Sequence, residues 1–294
     1  MLFRSWIPLI TPFASDGTVD TAAIERLCTE YLDAGSAGIV ALGTTGESSA
    51  LDEAERRLVI ETVSAVCAAR GARVIVGTGS NNTARTVATT EGLAGIPAVV
   101  GALVVVPYYV RPSEAGIVAH FAAVAAASPV PLVLYNIPAR TGRGLGATSL
   151  LELAAMPNIA GVKQAVAALD ADTLELLAGA PTGFGVLGGE DALLFPLMCM
   201  GAVGAISAAA HLCTEQFVKM IDHGLAGEVE AGRLIAGSLL PVVRSAFAEP
   251  NPAVFKAVLH AQGRIATPEV RMPLVAASAA ARDACLAAVA RAGA

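Results

Sequence analysis

Ile159-Ala160-Gly161-Val162-Lys163-Gln164 is a run of strand length that ends in a lysine. Ile159, Ala160 and Val162 leave no polar face before it. A strand that reads as a continuous apolar run is buried on both sides, as in a parallel sheet covered by helices. Only three lysines occur in the chain, Lys163, Lys219 and Lys256, and every other basic residue is Arg or His. A lysine at the end of a buried strand loses hydration, which disfavours the ammonium form. An amine that works as a nucleophile has to come down from about 10.4 toward about 7–8. It can then attack a carbonyl and form a Schiff base. Taken alone, the run also fits an edge strand whose lysine reaches water along its stem.

Working outward, runs of this kind alternate with amphipathic stretches. Strands are expected at Trp6–Ile10, Gly38–Leu42, Arg73–Gly77, Ala102–Val106, Pro131–Asn136, Ile159–Lys163, Phe184–Leu187 and Val203–Ile206. Helices are expected at Thr21–Ala34, Asp52–Arg70, Thr83–Ala94, Ser113–Ala127, Ser149–Ala155, Asp172–Leu177, Ala192–Met200 and Thr214–His223. Asp52 with Glu55 has capping-box spacing, and Thr214 precedes an apolar stripe as a cap would. Eight βα units predict an α/β fold, a closed (β/α)8 TIM barrel. The open doubly wound alternative lacks its Gly-x-Gly-x-x-Gly turn after the first strand. The rhythm then changes. Leu225–Phe247, Pro252–Gln262 and Pro273–Ala290 read as helices, with Glu249-Pro250-Asn251-Pro252 as a rigid break. The expected organisation is a catalytic barrel over 1–224 and a C-terminal helical appendage over 225–294.

Composition narrows the function classes. At 294 residues and 55% apolar, the chain can bury a large core. Its longest uncharged run, Ala192–Cys213, is interrupted by Pro196, Gly201 and Gly204, so a buried helix followed by a strand is expected rather than a membrane span. Met1-Leu-Phe-Arg-Ser-Trp-Ile-Pro enters a strand at once and does not read as a signal peptide. Net charge is −6 with no basic cluster, which argues against nucleic acid as a partner. Five scattered cysteines and four isolated histidines have no metal-ligand spacing. Buried-looking cysteines in odd number fit a reducing cytoplasm.

In such a barrel the active site lies at the C-terminal ends of the strands. After strand 2 comes Gly43-Thr44-Thr45-Gly46-Glu47-Ser48, a turn whose N–H and hydroxyl groups suit a small carboxylate. After strand 4 comes Pro107-Tyr108-Tyr109. Strand 5 ends in Tyr135-Asn136-Ile137-Pro138-Ala139-Arg140-Thr141-Gly142, a candidate proton carrier followed by a guanidinium fork for a second carboxylate. Strand 6 ends in Lys163, and Gly188-Gly189-Glu190-Asp191 follows strand 7. An amine, a phenol, an anion-binding turn and a carboxylate clamp thus share one face.

These segments, with Gly161-Val162-Lys163 and Glu249-Pro-Asn-Pro252, resemble in order and spacing the dihydrodipicolinate synthase family, within the N-acetylneuraminate lyase superfamily. The resemblance spans essentially the whole chain. It implies a lyase of diaminopimelate and lysine biosynthesis that condenses pyruvate with L-aspartate 4-semialdehyde. Pyruvate would form an imine on Lys163, lose a methyl proton to give an enamine, and attack the aldehyde. Tyr135 would shuttle protons, Thr45 would bind the pyruvate carboxylate, and Thr44 would link Tyr135 to Tyr109 of a neighbouring subunit. Gly189 and Ile206 match positions lining the pyruvate pocket, and Arg140 matches the clamp for the aldehyde's carboxylate. The resemblance also implies a homotetramer built as a dimer of dimers, small-molecule substrates only, and a cytoplasmic location. No metal or organic cofactor is expected, because the imine itself serves as the electron sink.

Two departures stand out. Gln164-Ala165-Val166-Ala167-Ala168 replaces an acid and a polar glycine turn, which points to a changed or more apolar second substrate, as in an aldolase for a 2-keto-3-deoxy sugar acid. Gly188-Gly-Glu-Asp191 is a milder change. A non-catalytic pyruvate-binding barrel is the third reading, opposed by the complete set Thr45, Tyr109, Tyr135, Arg140 and Lys163. Lysine-inhibited relatives carry an acid at the position matching Arg85 and often His at those matching Glu53 and Arg56. The inverted charge predicts weak or absent inhibition by lysine.

Overall fold

The computed structural model describes residues 4–293; Met1–Phe3, with which the reading of the N-terminus begins, lie outside them. The strands are β1 (Arg4–Pro8), β2 (Gly38–Ala41), β3 (Arg73–Gly77), β4 (Val99–Val105), β5 (Leu132–Asn136), β6 (Ile159–Gln164), β7 (Gly185–Gly188) and β8 (Gly204–Ile206). They close into one parallel barrel in chain order, a TIM barrel. All eight expected strands are present, with shifted ends. β1 includes Arg4 and Ser5 ahead of Trp6 because they pair with Gly204 and Ala205 to close the barrel. β4 begins at Val99, paired with Val74 ahead of a register shift. Both extensions depend on a partner distant in sequence, which local pattern does not reveal.

Between and after the strands run α1 (Thr21–Asp33), α2 (Glu53–Ala69), α3 (Thr83–Glu91), α4 (Glu114–Ala127), α5 (Pro138–Thr141), α6 (Ala147–Ala154), α7 (Ala171–Gly179), α8 (Leu194–Cys199), α9 (Thr214–Ala226), α10 (Val229–Ala246), α11 (Ala253–Ala261) and α12 (Ala279–Ala292). The Asp52–Glu55 capping box forms as expected, with bonds of 2.8 and 3.0 Å. Thr214 does not cap α9. The N-cap position belongs to Cys213, and the Thr214 hydroxyl bonds back to Ala210 O at 2.7 Å. The last helix starts at Ala279 rather than Pro273. Ser278 caps it, itself held by the Glu249 carboxylate, while the Arg271 guanidinium ties the preceding segment to Glu55 and to the carbonyls of Gly17 and Ala50. These long-range bonds outweigh the helical propensity of Leu274–Ala277. Cys199, at the end of α8, is exposed, unlike the other four cysteines.

Two apolar layers result. A large one lies between strands and helices. A small one fills the barrel interior with residues from strand after strand, including Trp6, Val40, Ile75, Leu103, Tyr135, Leu187 and Ile206. Side chains alternate along a strand, so on β6 Val162 and Gln164 face the helices while Lys163 shares the interior with Ala165. Among the described residues no helix is long and apolar enough to cross a membrane.

Candidate active site

The strand ends bring the amine and the phenol together. Tyr135 and Lys163 are register partners on β5 and β6. Both are buried, and the Lys163 Nζ lies 4.4 Å from the centre of the Tyr135 ring. Among the described residues Lys163 makes no hydrogen bond and no ion pair. Its stem passes so close to Gly189 that a Cβ there would fall 2.8 Å from Lys163 Cε and 2.9 Å from the Ala165 methyl. Glycine at 189 is therefore a steric requirement of the lysine. Ile206 is fully buried in the same interior layer.

The turn after β2 folds as a short 3-10 helix, Thr44–Gly46, closed by Glu47 in a left-handed conformation (φ 51°). A non-glycine residue held there costs of order 1 kcal/mol or more and persists only under strong restraint. The restraint comes from the C-terminal appendage. The Glu47 carboxylate accepts from Lys256 Nζ at 2.5 Å and from the Arg271 N–H at 2.7 Å, with both side chains of the pair buried. Lys256 also donates to Glu269 O at 2.7 Å and lies over the Phe13 ring. Asn251 Nδ2 donates to the Thr45 hydroxyl at 3.0 Å. The sequence singles out Asn251 only as part of a rigid break. Lys256 is visible there only as one of three lysines, since its partner lies 209 positions away.

Beside the turn opens a cavity of 570 Å3 whose walls include Thr44, Tyr109, Tyr135 and Arg140. Arg140 stands on α5, a helix the sequence pattern does not announce, begun by Pro138 and closed by Gly142 at φ 70°. Tyr109 is 87% exposed and left-handed (φ 72°). Lys163, Thr45, Gly189 and Ile206 lie outside the cavity wall; the first two are buried next to residues of it. Thr44, Tyr109 and Tyr135 are not hydrogen-bonded to one another within the subunit.

The altered segment after the lysine is placed differently from expectation. Gln164 does not face the cavity. Its amide accepts from Asn136 Nδ2 at 3.0 Å and donates to the Thr173 hydroxyl at 3.1 Å, behind the strand. Asn136 in turn grips Leu145 through its N–H and carbonyl. None of residues 164–168 lines the cavity. Asp191, at the turn after β7, is a fully buried carboxyl that feels the charge of the lysine without pairing with it. Burial pushes its carboxyl up to about 6, opposed by the Ser207 hydroxyl, the Ala209 N–H and the charge of Lys163.

The dihydrodipicolinate synthetase family model matches residues 1–292. The chain is 40% identical over 276 residues to 4-hydroxy-tetrahydrodipicolinate synthase of Cyanothece sp., covering 94% of this chain and 92% of that one. It is 41% identical over 277 residues to the enzyme of the same name in Salinibacter ruber, covering 93% and 90%. Its structure superposes with a TM-score of 0.95 and 31% identity on the chloride-inhibited dihydrodipicolinate synthase of Acinetobacter baumannii complexed with pyruvate, covering 100% and 99% of the two chains. The likeness therefore spans the barrel and the helical appendage alike, and the chain belongs to the dihydrodipicolinate synthetase family.

Proposed function

We propose that this chain is a 4-hydroxy-tetrahydrodipicolinate synthase. The observation that carries the reading is Lys163: a buried amine without a carboxylate partner, set against Tyr135 beside a cavity that holds Arg140. The Lys163 amine adds to the pyruvate carbonyl and water leaves, giving the imine. Tyr135 takes a methyl proton as the enamine forms, then returns a proton to the new alkoxide after the enamine carbon attacks the aldehyde. The amine of the semialdehyde displaces Lys163 and closes the ring. Thr45 holds the pyruvate carboxylate, Gly189 and Ile206 shape its pocket, and Arg140 grips the carboxylate of the aldehyde in a two-point fork.

Thr44 and Tyr109 complete a proton relay in which Tyr109 serves a neighbouring subunit. Its exposure and restrained backbone suit that use. On this reading the enzyme is a cytoplasmic homotetramer, with the barrel (1–224) carrying the chemistry and the helical part (225–294) bracing the Thr44–Glu47 turn. The relatives carry the synthase name, which disfavours the aldolase alternative, and Gln164, turned away from the cavity, no longer supports it. The test is turnover of pyruvate with aspartate semialdehyde in the wild type and in Arg140→Ala. The wild type should turn over, and the variant should lose about 10²-fold or more in kcat/KM for the semialdehyde while still forming the pyruvate adduct. A variant as fast as wild type would remove Arg140 from substrate recognition.

A further inference from the structure

The segment from Ile137 to Leu145 carries α5 and, on it, Arg140. Among the described residues the Arg140 guanidinium has no hydrogen bond and no ion pair, so its place on the cavity wall depends on the path of this segment. Most of the segment's own hydrogen bonds stay inside it. The α5 amides reach Ile137 O and Pro138 O, and the Thr141 hydroxyl donates to Ile137 O and Arg143 O. The bonds that leave it go to one side chain. Asn136 Oδ1 accepts from the Leu145 N–H at 3.1 Å, and Asn136 Nδ2 donates to Leu145 O at 3.2 Å. Nδ2 also donates to Gln164 Oε1 at 3.0 Å, and Gln164 is held in turn by the Thr173 hydroxyl. That chain of bonds fixes which end of the Asn136 amide is the donor. Asn136 is 1% exposed and Leu145 5%, so water cannot replace these bonds. A Cβ at Gly144 would fall 3.1 Å from Asn136 Oδ1, which leaves little room for a side chain beside the amide. Tyr135, the neighbour of Asn136 on β5, points the other way, into the barrel.

We infer that Asn136 is a positioning residue for the second substrate: by pairing with both backbone groups of Leu145 it closes the loop and holds Arg140 at the cavity. This role rests on the one proposed above for Arg140. Asn136 itself lies behind the strand and touches no reacting atom. Its amide brings a donor and an acceptor to one residue's backbone, whereas an ionised Asp would face Leu145 O and Gln164 Oε1 with lone pairs alone. The Gln164 end needs only an acceptor, which a Glu also supplies.

Asn136→Leu, Arg140→Ala and the double variant test this by steady-state kinetics with pyruvate and aspartate semialdehyde, beside the rate at which borohydride traps the pyruvate adduct. In Asn136→Leu, kcat/KM for the semialdehyde should fall about tenfold or more, mostly through KM, while adduct formation stays within about threefold. In the Arg140→Ala background the same substitution should change kcat/KM by less than about twofold, because the side chain it positions is gone. Thermal unfolding checks that each variant is folded. An equal loss in both backgrounds would overturn the inference, as would no loss in Asn136→Leu, or adduct formation that falls as far as kcat/KM. Hydrogen exchange on the wild type reads the clamp without any variant. The Leu145 amide should exchange at least about tenfold more slowly than those of Arg143 and Gly144, which have no acceptor among the described residues, and equal rates would overturn the inference. An Arg140→Ala enzyme as fast as wild type is a failure of the proposed function. Losses that add across Arg140→Ala and Asn136→Leu are a failure of the positioning role alone, so the two are told apart.

Discussion

Lys163 and Lys256 are both cut off from water, at 7% and 0% exposure, yet the fold treats their charges in opposite ways. Lys256 meets Glu47 in a buried ion pair, donates to a carbonyl and lies over an aromatic ring. Burial draws its ammonium down to about 8 against the pull of that carboxylate. Its two hydrogen bonds go to the strand-2 turn and to the chain that braces it. Lys163 has a tyrosine ring beside it and no acceptor among the described residues. A buried lysine held by a carboxylate, a carbonyl and a ring is a fastener. A buried lysine without an acceptor is free to make a covalent bond.

The largest effect should follow from removing the unpartnered amine. Lys163→Met is expected to lower kcat by at least about 10⁴-fold, since no other group can form the imine. Thermal unfolding should change little, because methionine fills a similar volume with no charge to satisfy. A stable variant that retains a tenth of the rate would reverse the roles assigned to the two lysines.

Lys256→Met should do the opposite. It strands the Glu47 carboxylate in the interior and is expected to cost about 3–5 kcal/mol of stability, read from urea unfolding. Adding Glu47→Leu should recover much of that loss, since replacing both members of a buried pair with apolar groups is close to neutral. If the double variant is no more stable than the single one, the pair is not the fastener.

Asp191 tests the surroundings of Lys163 by pH. Its folded carboxyl holds a proton up to about 6, whereas an unfolded one releases it near 3.8. The folded state therefore binds more protons between those values, and stability declines as pH rises from about 4 to about 6, by about 3 kcal/mol at most. Asp191→Asn should flatten that decline. An unchanged slope would assign it to other groups.

Gln164→Glu should matter least to the reaction. Restoring the family's acid puts a carboxylate behind the strand, against Asn136 and Thr173, so kcat is expected to stay within about threefold. A large change in kcat or in the preferred aldehyde would show that the segment communicates with the cavity after all.

Much of this was legible in the chain because barrel folds write their plan locally. Apolar runs with helices between them place Lys163, Tyr135, Arg140 and the Thr44–Thr45 turn on one rim. Gln164 was legible too, through alternation: if Lys163 points inward, its neighbour points to the helices. The strand-period rule overrides proximity along the chain. The bracing of the turn was not legible. Asn251 to Thr45 and Lys256 to Glu47 each join residues more than 200 positions apart, and no local pattern encodes that pairing. The late start of α12 has the same origin, in the bonds that Arg271 and Glu249 make across the molecule.

The most direct measurement is borohydride reduction in the presence of pyruvate, followed by peptide mass spectrometry. One pyruvyl adduct is expected, on the peptide containing Lys163, with Lys219 and Lys256 unmodified. An adduct on Lys256 instead, or none on any lysine, would contradict it.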